Sequence, residues 1–201
     1  MSWIKTINYK QANPELKRIY KRVSGPQDIV DNVLKIHSLR PHTLIGHMTL
    51  YKSVLHHSGN TLPKWYLEAL GIYVSQLNKC GYCVEHHSQG LRRLLENTGD
   101  QTDYLEAIKE EKFEGCFSPK QAAGLNHARL LTLSPDQIGS KDIELLREFG
   151  FDDGQILEIN QVVSYFNYVN RTVLGLGVNL KGDILGLSPG NSEDPENWNH
   201  Q

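Results

Sequence analysis

The chain has 201 residues, 39% of them hydrophobic and 22% charged, which is enough apolar material for a domain with a buried core. With 21 basic and 23 acidic residues the formal net charge is -2, so overall charge does not indicate nucleic-acid binding. No apolar run approaches the ~20 residues that span a bilayer, and the N-terminal segment lacks the pattern of a signal peptide. We therefore expect a cytoplasmic protein with no membrane partner.

Apolar residues recur at helical spacing along most of the chain, and no alternating strand pattern with flanking turns is present. The pattern predicts an all-α fold with helices over about 14–23, 28–38, 41–58, 62–76, 80–96, 103–111, 119–133, 141–149 and 153–174. Residues rich in Gly, Pro, Asn and Asp separate them, including those at 97–100. The segment 62–76 is apolar around most of its circumference, so we expect it to be a central, buried helix.

Helix caps are predicted from side chains that accept backbone N–H groups at a helix start. The candidates are Asn13, Thr61, Ser118, Ser140 and Asp152. After residue 180 the composition becomes rich in Gly, Pro, Ser and Asn. We therefore expect one helical domain over 1–180, followed by an extended or loose tail over 181–201.

The residues that indicate chemistry are Cys80, Cys83 and His87, which lie on one face of a single predicted helix. Cysteines three residues apart on a helix have Cα atoms about 5–6 Å apart, within disulfide range. Cys80 lies near the helix N-terminus, where a thiolate is stabilised. Glu68 lies on the preceding apolar helix and needs a partner there, which His87 can supply. The pattern predicts a dithiol that cycles to a disulfide, with Glu68 and His87 adjusting its protonation.

Three alternatives compete with this interpretation. Cys80, Cys83 and His87 are acceptable zinc ligands, although no second Cys or His pair at ligand spacing follows to complete a site. The two cysteines can also be inert core residues. Glu68 can be an ordinary surface residue if its helix is less buried than predicted. The third cysteine, Cys116, lies in a predicted turn and is interpreted as a bystander.

The spacing of Glu68, the Cys-x-x-Cys pair and His87 resembles the alkylhydroperoxidase D / carboxymuconolactone decarboxylase family, most of all its peroxidase-related branch. Three further stretches carry the resemblance, at 38–41, at 74–78 leading into the cysteine pair, and at 165–171 followed by 174–178. It extends over about 10–180 and is densest from 62 to 95. It implies an all-α fold, a homo-oligomer that is commonly a trimer or hexamer, and a thiol-dependent peroxidase.

The resemblance also implies roles for the site residues. Cys83 attacks the peroxide, Cys80 resolves the product to a disulfide, and His87 and Glu68 relay protons. The helix N-terminus by itself favours Cys80 as the more activated thiol, which differs from the role that the resemblance implies for it. The implied partners are a peroxide and a thiol or dithiol electron donor, and neither a cofactor nor a metal is indicated.

One position departs from the family pattern. The peroxidase members carry a histidine immediately before the second cysteine, whereas this chain has Tyr82 there. A phenol donates a hydrogen bond but is a poor proton acceptor at neutral pH. The departure indicates a shorter relay, a lower rate or a different substrate.

A non-catalytic redox-sensing or binding module of the same fold is the competing function.

Overall fold

The computed structural model describes residues 2–96 and 101–200. Within these residues the regular structure is helical and no sheet is present, which confirms the all-α prediction. The break predicted at 97–100 lies outside the described residues. The α-helices are α1 (Pro14–Val23), α2 (Asn32–Lys35), α3 (Pro41–Leu55), α4 (Lys64–Leu77), α5 (Gly81–Leu95), α6 (Gln101–Glu110), α7 (Pro119–Leu133), α8 (Ser140–Glu148) and α9 (Asp153–Gly175).

Helix α4 is the central helix of the bundle and packs against α5, α7 and α9. Its residues 66–75 are all buried, as its apolar circumference predicts. Packing against α9 requires glycine at position 71, because a Cβ on Gly71 would overlap the Phe166 ring. The missing side chain therefore lets α9 lie directly on α4, close to Glu68.

Three of the predicted caps are confirmed. The side chains of Asn13, Ser118 and Asp152 each accept a backbone N–H in the first turn of α1, α7 and α9. The caps predicted at Thr61 and Ser140 are wrong. Helix α4 starts after Pro63, and the N–H groups of Thr61 and Leu62 instead donate to the carboxylate of Glu158 on α9, both at 2.8 Å.

The helix predicted over 28–38 is shorter in the structure. Asp28 has a φ of +56°, a left-handed conformation that interrupts a right-handed helix. Regular α-helix is confined to α2, and a 3-10 helix continues over Ile36–Leu39. The start of α2 is also fixed against a distant part of the chain, because the Asn32 side chain donates to the carbonyls of Asn179 and Lys181.

The C-terminal segment after α9 has no helix within its described residues and runs back over the bundle. Lys52 is fully buried, and its ammonium donates to the carbonyl of Gly190 and to the Ser192 hydroxyl. Trp198 is also buried, and the guanidinium of Arg22 lies 3.8 Å from its ring centre. The tail is thus held against α1 and α3 by side chains of both helices.

Among the described residues, no helix combines the length and apolar character needed to cross a bilayer.

Candidate active site

A tight turn between α4 and α5 places the candidate residues opposite one another. Lys79 adopts a φ of +58°, and the N–H of Cys80 donates to the carbonyl of Ser75 at 2.8 Å. The chain therefore reverses at once, and Cys80 becomes the N-cap of α5. Two antiparallel helices joined in this way bring Glu68 of α4 beside His87 of α5.

The Glu68–His87 pair is formed in the structure. Nδ1 of His87 donates to Oε2 of Glu68 at 2.6 Å, a distance typical of a charge-assisted hydrogen bond. The interpretation of Glu68 as a surface residue is wrong, because the residue is only 2% exposed. The ring of Phe166 meets His87 edge-on, with centroids 4.6 Å apart. The bond leaves Nε2 of His87 free to exchange a proton.

Cys80 and Cys83 are free thiols that lie in hydrogen-bond contact. Their Sγ atoms are 3.1 Å apart and both residues are buried. The hydrogen bond between the two thiols is the main reason that the pKa of Cys80 is lowered, and burial opposes it. The same bond, with burial, raises the pKa of Cys83 well above its ordinary value. The pair therefore holds one proton tightly and releases the other readily.

Asn170 of α9 supports this pair. Its side chain is fully buried, donates to the Ser75 hydroxyl at 3.0 Å and accepts from Asn78 at 3.0 Å. A hydrogen bond from Asn170 also lowers the pKa of both thiols, as a smaller effect. Sequence alone does not identify this asparagine as a site residue, because it lies far from the cysteines along the chain.

A cavity of about 50 Å³ adjoins the pair, and Cys83, His87 and Glu68 line it while Cys80 does not. Its walls come from α2, α3, α4, α5 and α9, and the C-terminal tail closes one side. Other lining side chains include His47, Tyr51, Tyr165, Leu187 and His200. The tail reaches α5 through Gly186, whose φ is +77° and where a Cβ would lie 2.9 Å from the Gly90 nitrogen. Only glycine combines this conformation with so close an approach.

Tyr82 does not act as the relay histidine of the family pattern would, because its hydroxyl is engaged in structural hydrogen bonds. Its hydroxyl donates to Oδ2 of Asp183 on the tail at 2.6 Å and accepts from the N–H of Val33 at 3.1 Å. Burial raises the pKa of Tyr82 well above its ordinary value, and the neighbouring Asp183 adds to this. Tyr82 therefore stays protonated and links α5 to the tail.

His47 on the cavity wall makes the fold sensitive to acid. Burial lowers its pKa to about 3, with smaller contributions from His37 and His200. The unfolded chain binds a proton near pH 6.5 and the folded chain does not, so stability falls as pH drops below 6.5. We expect His47→Phe to reduce the loss of unfolding free energy between pH 7 and pH 5 by about 2 kcal/mol. Urea titrations at both pH values measure it.

The matched control for this prediction is His42→Gln, on the same helix but exposed. An equal reduction in both variants would contradict the assignment to His47.

The comparisons with known proteins agree with this architecture. No family model matches the sequence. The uncharacterized protein YdfG of Bacillus subtilis (strain 168) is 28% identical over 111 residues, which cover 55% of this chain and 72% of that protein. A crystal structure of the alkylhydroperoxidase AhpD core, from an uncharacterized peroxidase-related protein of Ralstonia eutropha JMP134, matches with a TM-score of 0.77 at 20% identity. That match covers 90% of this chain and 93% of the other.

The apo debrominase Bmp8 also matches, with a TM-score of 0.71 and 16% identity over 88% of this chain and 91% of the other. The chain therefore has the alkylhydroperoxidase D-like fold, and the resemblance found in the sequence is confirmed at the level of the fold. Proteins of this fold include peroxidase-related proteins and a debrominase, so the fold alone leaves the reaction open.

Proposed function

We propose that the protein is a thiol-dependent peroxidase that cycles Cys80 and Cys83 between dithiol and disulfide. The observation that carries this proposal is the placement of two thiols 3.1 Å apart beside a Glu68–His87 hydrogen bond of 2.6 Å, with Cys83 and His87 lining one cavity. A nucleophile and a proton carrier thus face the same cavity, and the resolving thiol lies in contact with the nucleophile.

The two cysteines differ in their access to the cavity and in the direction of their pKa shift. Cys83 lines the cavity, whereas Cys80 has the lowered pKa. The hydrogen bond between them reconciles the two facts, because a proton moved along it from Cys83 to Cys80 creates the thiolate that faces the cavity. The proton that the pair loses first passes to His87, whose charge Glu68 stabilises.

In the first step the Cys83 thiolate attacks the terminal oxygen of a hydroperoxide ROOH. An S–O bond forms, the O–O bond breaks, and the alkoxide leaves as ROH with the proton held by His87. The sulfur is oxidised to a sulfenic acid and the peroxide is reduced. Burial on the cavity wall keeps bulk water away from this intermediate.

In the second step Cys80 returns its proton to His87 and attacks the sulfur of the Cys83 sulfenic acid. The S–S bond forms, hydroxide leaves, and it takes the proton from His87 to become water. The lowered pKa of Cys80 favours its role as the resolving thiol, since the attacking species is the thiolate. An external thiol or dithiol then reduces the disulfide, and a reducing compartment such as the cytoplasm supplies such donors.

The size of the cavity limits the substrate. About 50 Å³ holds a few water molecules, which favours hydrogen peroxide or a short alkyl hydroperoxide. Leu187 of the tail forms part of the wall. We expect Leu187→Ala to raise kcat/KM for cumene hydroperoxide several-fold relative to that for hydrogen peroxide, because it opens space. Steady-state assays with both peroxides measure the ratio, and an unchanged ratio would contradict the role of the tail.

The deciding experiment combines thiol counting by intact mass with turnover. One equivalent of peroxide should remove two thiols with a mass loss of two hydrogens, and dithiothreitol should then support repeated consumption of peroxide. A redox sensor would oxidise once per site without turnover at a useful rate. A debrominase would instead release bromide from a brominated substrate, with the same two thiols oxidised to the disulfide.

We extend the proposal to assembly: the resemblance implies a homo-oligomer, commonly a trimer or hexamer. Sedimentation equilibrium on the full chain measures the subunit number. A monomer at micromolar concentration would contradict the proposed homo-oligomer.

A further inference from the structure

Three side chains from distant parts of the sequence meet beside the cavity, and two of them, Asp31 and His86, line it. Asp31 precedes α2, His86 lies on α5, and Asp183 lies on the C-terminal tail. One ligand atom from each lies within 4.8 Å of the other two. Within residues 2–96 and 101–200, this is the only group of three His, Cys, Asp or Glu side chains so arranged.

The group is buried and incompletely satisfied. Asp31 is 7% exposed, His86 is 9% exposed, and the Asp183 side chain is fully covered. Oδ1 of Asp31 and Nε2 of His86 have no hydrogen-bond partner. Asp31 occupies an N-cap position, yet its side chain makes no cap hydrogen bond. Two buried carboxylates beside an imidazole need a compensating positive charge.

Asp183 is held as a metal-ligating carboxylate usually is. Its oxygens accept from the N–H of Asn32 at 3.1 and 3.0 Å and from the hydroxyl of Tyr82 at 2.6 Å. Such outer hydrogen bonds fix a ligand in place. Oδ2 of Asp183 lies 3.5 Å from Nε2 of His86. Two ligands bound at about 2.1 Å in tetrahedral geometry lie about 3.4 Å apart, so this separation fits one ion between them.

We propose that Asp31, His86 and Asp183 bind one divalent transition-metal ion of the Zn²⁺ or Mn²⁺ class. Two carboxylate oxygens and an imidazole nitrogen are the donors that such ions accept. Asp31 and His86 line the cavity, so a fourth position faces that space and takes water. The ion joins α2, α5 and the tail, and its charge neutralises the two aspartates.

This site is separate from the dithiol and independent of the proposed peroxidase reaction. Neither cysteine belongs to it, and the Glu68–His87 pair lies outside the group. The zinc interpretation of Cys80, Cys83 and His87 differs from it in every ligand. A test therefore has to distinguish the two sets.

The test is calorimetric titration of the full chain with Zn²⁺ and with Mn²⁺ after dialysis against a chelator. The Cys80→Ser/Cys83→Ser double variant is titrated in parallel, so that thiolate binding is removed. We expect one equivalent of at least one of the two metals to bind in both proteins. Asp31→Asn and His86→Gln, each in the double-variant background, should lower the affinity by ~10- to 100-fold or more.

The matched control is His42→Gln, which removes an exposed histidine and should leave the affinity unchanged. Asp31→Asn keeps the side-chain size and removes a buried charge, so circular dichroism should show a folded protein that has lost the metal. Cobalt substitution adds a spectroscopic readout, because Co²⁺ bound by oxygen and nitrogen lacks the thiolate charge-transfer band.

The proposal is overturned if the double variant binds neither metal, if Co²⁺ shows thiolate ligation, or if folded Asp31→Asn and His86→Gln variants bind as the parent does. One equivalent bound with loss in both variants supports it. Failure of peroxide turnover in the wild-type chain leaves this result unaffected, so the two proposals fail separately.

Discussion

Replacing Cys83 by serine is expected to lower peroxide reduction by roughly 10³-fold or more, the largest effect of any single substitution in this chain. Cys83 is the cysteine that lines the cavity, so its loss removes the only thiolate with access to the substrate among the described residues. Cys80 remains, but it is fully buried behind that position. Stopped-flow peroxide consumption with excess dithiothreitol measures the rate.

Cys80→Ser separates the two roles. With Cys83 intact the first step proceeds, and intact mass after one equivalent of peroxide should show the gain of one oxygen atom. The disulfide cannot form, so the sulfenic acid accumulates and can be trapped by dimedone. The opposite pattern, with oxygen gained in Cys83→Ser and none in Cys80→Ser, would contradict the assignment and make Cys80 the attacking thiol.

Cys116→Ser is the matched control for both variants. Cys116 is half-buried in the turn between α6 and α7, away from the cavity lining. Its replacement should leave turnover and the two-hydrogen mass loss unchanged. A large loss of rate in this variant would show that a third thiol takes part in the cycle.

The helical fold could be predicted from sequence because its determinants are local. Apolar spacing defined α4, and short-range caps such as Asn13 and Asp152 marked the starts of α1 and α9. The exceptions involve distant partners. Asn32 at the start of α2 bonds the chain near residue 180, and the start of α4 is held by Glu158. No local pattern contains these partners.

The candidate site likewise contains residues that local spacing predicts and residues that only the tertiary structure brings together. Glu68, Cys80, Cys83 and His87 lie within twenty residues on two consecutive helices, so their spacing indicates their contact. Asn170 and the tail that closes the cavity lie about a hundred residues away, and only the tertiary structure brings them to the thiols. The role of Tyr82 could not be predicted either, because its hydrogen-bond partner Asp183 is equally distant along the chain.

Glu68→Gln is expected to lower kcat/KM for peroxide by roughly 10²-fold while the protein stays folded. The buried carboxylate accepts from Nδ1 of His87 at 2.6 Å and stabilises the imidazolium that forms when His87 takes a proton. Glutamine keeps the size and can still accept the hydrogen bond, but it lacks the charge. His87→Gln removes the imidazole that accepts the proton, and it should lower kcat/KM by at least the same factor.

The relay has a signature that a purely structural role lacks. Because both residues act through one proton, the Glu68→Gln/His87→Gln double variant should be no slower than His87→Gln alone. Glu111→Gln is the matched control, since it neutralises an exposed carboxylate paired with Arg129 at 2.6 Å and should leave the rate unchanged. Additive losses from Glu68 and His87 would show that the two residues act separately, and the shared relay would then be wrong.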